Sequence, residues 1–160
     1  MVFKNEKELE RFLMRKSRQA LLRAQDKVYG IIKQFVYKFY NDYDPEWYDR
    51  TYQLLESLVQ SRIVSDGKGY KAEIYFDLGK LQYSKPAWQG GEPPSGEQVF
   101  EAAKQGLHGA IGDAGGGWNY LYVMGDTGVN IWSDPIRELD AKAIDILVDM
   151  LIAEGIPVKK

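Results

Sequence analysis

Residues 6–40 read EKELERFLMRKSRQALLRAQDKVYGIIKQFVYKFY, and this stretch decides the fold class. Leu21, Ala24, Val28, Ile31, Ile32, Phe35 and Phe39 recur at steps of three and four, with Leu9, Leu13 and Ala20 on the same side. That is the period of an amphipathic helix. Asn5 and Glu8 stand at its start with the spacing of an opening cap. Unbroken over residues 6–40, the helix is about 52 Å long at 1.5 Å per residue, more than one small core covers, so one end is expected to project. Gly30 lies inside the pattern, where glycine weakens a helix. On a wheel of about 100° per residue, Lys7, Arg11, Arg15 and Arg18 fall within roughly 80° of arc, away from the apolar stripe.

Working outward, residues 41–44 end the helix and Asp44-Pro45 turns the chain. Ser57 to Val64 is rich in β-branched residues, Ser65-Asp66-Gly67-Lys68-Gly69 is a turn, and Tyr70 to Asp77 alternates. Together they predict a β-hairpin over 57–77. A loop-rich insertion over 78–132 follows. It holds a Pro- and Gly-rich loop at 78–96, a short helix at about 97–105, an irregular Gly-rich run at 106–117, and candidate strands at 120–124 and 129–132. Asp134-Pro135 then opens a C-terminal helix over 134–154, with Ile136, Leu139, Ala143, Leu147 and Leu151 as its apolar stripe and Gly155 with Pro157 as its stop. Glu138, Asp145 and Asp149 share roughly 40° of its outer face. The expected architecture is one α+β domain over 1–160: a long N-terminal helix and a C-terminal helix packed on a small antiparallel sheet, with a long irregular insertion.

Composition narrows the chemistry. The 160 residues are 44% hydrophobic and 28% charged, as in a soluble globular protein, and no apolar run reaches the length of a membrane span. The expectation is an intracellular domain with no membrane contact. There is no cysteine, which removes disulfide frameworks, thiolate zinc sites and cysteine nucleophiles, and one histidine leaves little for a metal cluster or a triad. The glycines of 106–117 are not followed by Gly-Lys-Ser/Thr and do not join a strand to a helix, so a turning loop explains them better than phosphate binding. His108 has no serine or cysteine partner motif beside it, and a structural or interface role is the simpler reading. Neither Asp42 with Asp44 nor Asp126 with Asp134 forms the carboxylate ladder of a calcium loop. No enzyme, cofactor or metal is expected.

The net charge of -2 conceals a division. Residues 1–40 hold ten Lys or Arg against four acids, a balance of +6, and the remainder holds eleven against nineteen, a balance of -8. The bland reading of the Lys7, Arg11, Arg15, Arg18 stripe is a solvated helix face. The functional readings are a contact for another protein surface, a second copy included, or for DNA. The aromatics Trp47, Tyr48, Tyr52, Tyr83, Trp88, Trp118, Tyr120, Tyr122 and Trp132 lie largely in loops and strand edges. Large amphipathic rings there suit protein interfaces, and Trp88 and Trp118 are the clearest candidates. Most lie in the acidic portion, which argues against stacking on single-stranded nucleic acid.

The segment Tyr48-Asp49-Arg50-Thr51-Tyr52-Gln53-Leu54-Leu55-Glu56-Ser57-Leu58, after a long helix and before a hairpin, resembles the tail-completion or neck family of tailed phages, whose members are labelled minor capsid or tail-component proteins. Tyr48, Arg50, Thr51, Leu54 and Ser57 carry the motif. Its commoner form has Thr-Gly where this chain has Thr51-Tyr52, and the tyrosine resembles variants from prophages of Gram-positive bacteria. Physically, Thr51 would cap a turn, Leu54 would seat it in the core and Ser57 would begin the strand. The resemblance implies a non-enzymatic virion protein of the head-tail junction, assembled in the host cytoplasm. It would form a homo-oligomeric ring, sixfold in the family, between head-closure and tail-terminator rings. On that reading the basic stripe meets an acidic surface of a neighbouring subunit, with Glu138, Asp145 and Asp149 offering one, or else lines the DNA channel. The alternative from another class is a small DNA-binding regulatory or packaging-associated protein that uses the basic helix directly.

Overall fold

The computed structural model describes residues 3–42, 52–67, 69–82, 94–113, 119–126 and 128–158. In chain order the elements are α1 (Glu6–Asn41), α2 (Gln53–Ser57), β1 (Leu58–Gln60), β2 (Val64–Ser65), β3 (Tyr70–Lys71), β4 (Ile74–Phe76), a 3₁₀ turn (Leu78–Lys80), α3 (Gly96–Lys104), β5 (Leu107–Asp113), β6 (Asn119–Asp126) and α4 (Ser133–Ala153). The protein is α+β, with long terminal helices and small antiparallel sheets. The strands form three separate pairs, β1 with β4, β2 with β3 and β5 with β6. The chain divides into two compact units, residues 1–30, 60–74 and 138–160 in the first and 31–59 and 75–137 in the second.

Local chemistry explains most boundaries. At the start of α1 the Glu8 amide donates to Asn5 Oδ1 at 2.9 Å while the Lys4 amide donates to Glu8 Oε2 at 2.8 Å, so two otherwise unpaired donors are satisfied, as a cap requires. α3 has a full capping box, with the Gln98 amide donating to Ser95 Oγ and the Ser95 amide to Gln98 Oε1. α4 ends in a Schellman arrangement: the Ile156 amide donates to the Leu151 carbonyl at 3.0 Å, the Gly155 amide to the Ile152 carbonyl at 2.9 Å, and Gly155 takes φ 82°. The hairpin around Asp66 to Gly69 forms as expected, pairing Val64 with Lys71 and Ser65 with Tyr70.

Four expectations need correcting. Ser57 does not begin a strand; it ends α2, a five-residue helix the motif did not suggest. Part of the Gly-rich run is not irregular: residues 107–113 form β5, in register with β6 from Leu107 opposite Asp126 to Asp113 opposite Asn119, with an irregularity between His108 and Gly109, and residues 114–117 lie outside the described residues. Strand pairing is backbone hydrogen bonding, so glycines can pair when the facing strand is rich in strand formers, here Tyr120, Leu121, Tyr122 and Val123. Residues 129–132 are not a strand but the lead into α4, where Asn130 Oδ1 accepts from the Ser133 and Trp132 amides and Asp134 Oδ2 accepts from the Asn130 amide. The helix therefore opens one residue early and is capped by Asn130. Finally, the face of α4 that is covered is not the predicted stripe. Pro135 and Ile146 are buried, whereas Ile136, Ala143 and Leu147 are exposed.

The second unit holds the main apolar core: Val36, Phe39 and Tyr40 from α1, Leu54 from α2, Leu81 just after the 3₁₀ turn, Phe100 and Ala103 from α3, and Val129 and Ile131. Tyr52, which precedes α2, adopts φ 55° and ψ 14°, and among the described residues it is the one non-glycine with positive φ. This left-handed geometry costs an L-residue about 1–2 kcal/mol, which is the physical sense of a glycine at the equivalent place in the commoner motif. Here the side chain brings compensation, because the Tyr52 ring sits 5.0 Å from that of Tyr40.

Two stability predictions follow from this geometry. Tyr52→Gly is expected to be more stable than Tyr52→Ala by about 1 kcal/mol in urea unfolding, since both lose the ring and only glycine relieves the backbone; equal stabilities would contradict this. A Cβ at Gly30 meets nothing within 4 Å, so Gly30→Ala should stabilise by about 0.5–1 kcal/mol, seen as a higher melting temperature.

Candidate functional site

The strongest constellation lies in the first unit. Lys7, Arg11, Arg15 and Arg18 are exposed along one side of α1, and with Glu10, Met14 and Tyr70 they line a shallow, open groove of about 440 Å³. α1 supplies the cations at one-turn intervals, and Tyr70 reaches the groove because the hairpin turn sets β3 beside the helix. Among the described residues none of the four cations makes an ion pair. Arg15 places its guanidinium 6.0 Å from the Phe12 ring centroid. Four like charges within a few turns repel one another modestly, and such a surface attracts an anionic one.

The acidic residues predicted on the C-terminal helix lie together on α4. Asp145 and Asp149 are exposed, and Glu138 is half-buried and paired with Lys142 at 2.9 Å one turn on. An exposed pair of this kind is weak and easily exchanged. The other sequence candidates divide into two groups. Leu54 and Ser57 are buried, and Ser57 Oγ donates to the Leu54 carbonyl at 2.7 Å, so these motif positions build the core of the second unit and are not contact surface. Tyr48, Arg50, Thr51, Trp88 and Trp118 lie outside the described residues. His108 is buried, its ring stacked on Phe39 at 4.1 Å, with Nε2 donating to the Phe39 carbonyl at 2.9 Å. Among the described residues no group of three or more acids or histidines could hold a metal ion, and no helix is long and apolar enough to cross a membrane.

Sequence reasoning missed two polar anchors of the first unit. Buried Gln25 donates through Nε2 to the carbonyls of Ser61 and Glu73 at 3.1 and 3.0 Å, tying α1 to the hairpin. Buried Glu154, just past α4, is held by Lys16 at 2.9 Å and Arg23 at 3.0 Å. A signal existed for the second: an acid at a helix C-terminus opposes the helix dipole and calls for cations nearby. The hydrogen bond from Lys16 is the main cause that holds the Glu154 carboxyl below its usual range; desolvation opposes it, and the charges of Arg23 and Lys16 assist. The group is thus easier to ionise folded than unfolded, so it contributes stability above the ordinary carboxylate range and loses it as pH falls through the folded value.

The first unit is otherwise poorly covered. Among the described residues its buried apolar side chains are Ala20, Ala24 and Ile146, while Leu9, Leu13, Leu22, Ile144, Leu147 and Ile152 are exposed, Ile144 at 78%. Single exposed apolar residues are ordinary; so many on two helices of one small unit suit a surface that is covered in an assembly.

A family model described as YomN matches the chain over residues 5–151. No curated protein and no solved structure matches it. For the anchor of the first unit the expected behaviour is specific: Glu154→Gln lowers the melting temperature at neutral pH, and the gap from wild type closes as pH falls below the carboxylate range. A gap that does not change with pH would rule out the charge pairing as its source.

Proposed function

The chain belongs to the YomN family, which is derived from phages and prophages, and from that premise we propose that it is a structural, non-enzymatic protein of the phage particle. It acts at the head-tail junction as a neck or tail-completion subunit, through a homo-oligomeric ring whose contacts to head-closure and tail-terminator proteins surround the DNA channel. The observation that carries this reading is the unfinished surface of the first unit, where α1 and α4 expose apolar side chains and faces of opposite charge while, among the described residues, the unit buries only three apolar ones. A subunit that completes its core by association has this character.

The resemblance of the Tyr48 to Leu58 segment to tail-completion proteins supports the station in the particle and, with it, assembly in the host cytoplasm. A ring of identical subunits uses two different patches of each chain, which the division of charge between the terminal helices provides. The second reading, a DNA-binding regulatory or packaging-associated protein, draws on the basic groove beside Tyr70. Phosphate attraction without base contacts would suffice for it.

The test is direct. Purified full-length chain is expected to sediment as a discrete oligomer, and an antibody to it should label the neck of phage particles. A protein that stays monomeric at all concentrations and is missing from purified particles would overturn the proposal. Salt-dependent binding of that monomer to duplex DNA would then favour the regulatory reading.

A further inference from the structure

We propose that the basic groove of α1 receives the acidic face of α4 from a second copy of this chain, the two helices running antiparallel with Lys7 against Asp149, Arg11 against Asp145 and Arg18 against Glu138. The proposal rests on the assembly reading above and names its contact. The spacing carries it. From Lys7 the cations step by four residues to Arg11 and by seven more to Arg18, and from Asp149 the acids step back by four to Asp145 and by seven more to Glu138. At 1.5 Å per residue both ladders have rungs about 6 and 10.5 Å apart, so all three pairs align in one antiparallel register. Each ladder occupies a narrow sector of its helix, roughly 80° for the cations and roughly 40° for the acids, as a helix-on-helix contact needs.

The occupant is another copy because the chain's own α4 end is held elsewhere. Glu154 is gripped by Lys16 and Arg23, and these lie roughly 135° around α1 from the centre of the basic face. The chain's own α4 end thus meets a different side of α1 from the basic face, which is bordered by Tyr70 of the hairpin. Repeated head to tail, a patch on α1 meeting a different patch on α4 builds a ring when the rotation closes; exchanged reciprocally between two copies, the same contact gives a two-fold dimer. At Glu138 the contact exchanges the weak pair with Lys142 for one with Arg18.

The register also distinguishes this contact from diffuse attraction to a polyanion. Arg15 falls opposite Ala141, between the acid rungs, and the adjacent Asp140 lies roughly 160° around α4 from the acidic face, whereas a nucleic-acid backbone would use Arg15 as readily as Arg11.

Sedimentation of the full-length chain over a concentration and salt series tests it, with circular dichroism as the folding control. Arg11→Glu and Asp145→Arg are each expected to weaken self-association by at least about tenfold, and the double exchange to recover most of that loss, as a directly coupled pair requires. Arg15→Gln should change it by less than about threefold. If wild-type chain associates but Arg11→Glu and Asp145→Arg leave it unchanged, or if Arg15→Gln weakens it as much as Arg11→Gln, the pairing is wrong while the assembly reading stands. Wild-type chain that never associates overturns both. Loss of binding to a duplex DNA fragment in Arg11→Glu, with association intact, would assign the groove to DNA instead.

Discussion

Burial of Phe39 is the interaction on which the better-packed unit depends. Near the end of α1 it joins Val36 and Tyr40 in a core with Leu54, Leu81, Phe100, Ala103, Val129 and Ile131. Its ring stacks on His108 and its carbonyl accepts from the same imidazole. One residue therefore ties the helix to the start of β5 by both an apolar and a polar contact. The histidine satisfies a buried carbonyl and fills space beside the helix. Around that node, Tyr52 is held in a left-handed conformation with its ring against Tyr40, and Ser57 closes α2 onto the Leu54 carbonyl.

The first unit is held differently. Its buried apolar residues are small or few, so it leans on Gln25 spanning two hairpin carbonyls and on Glu154 between two cations. Polar anchors of this kind specify geometry more than they add stability, because desolvation offsets much of the attraction. What they leave is an exposed set of apolar side chains on α1 and α4 together with a basic groove and an acidic face. In the proposed assembly these features would be the means by which identical subunits recognise each other, and the small net charge of the chain is the sum of a basic N-terminal stretch and an acidic remainder.

Much of the architecture was legible because its causes are local. The cap of Asn5 and Glu8, the three- and four-residue period through α1, the Asp66 to Gly69 turn and the Gly155 stop all act within a few residues. The basic and acidic faces were legible for the same reason, since helical spacing alone puts Lys7 with Arg18 and Glu138 with Asp149. The Gly-rich strand was not, because its glycines pair only through a partner strand that begins at residue 119. Nor was Ser57's place in a helix, since α2 depends on the unusual backbone at Tyr52 and on Leu54 finding the core.

The sequence by itself determined where the helices and the hairpin turn form and which charges share a side, since hydrogen bonding and periodicity over one or two turns settle those matters. Tertiary structure alone decided which face of α4 is covered, that Ile146 is buried while Ile144 is not, and that Glu154 serves as the anchor of its unit. Those outcomes depend on partners such as Lys16 and Arg23 more than a hundred residues away. Burial is a property of the surface that meets a residue, and no local pattern carries it.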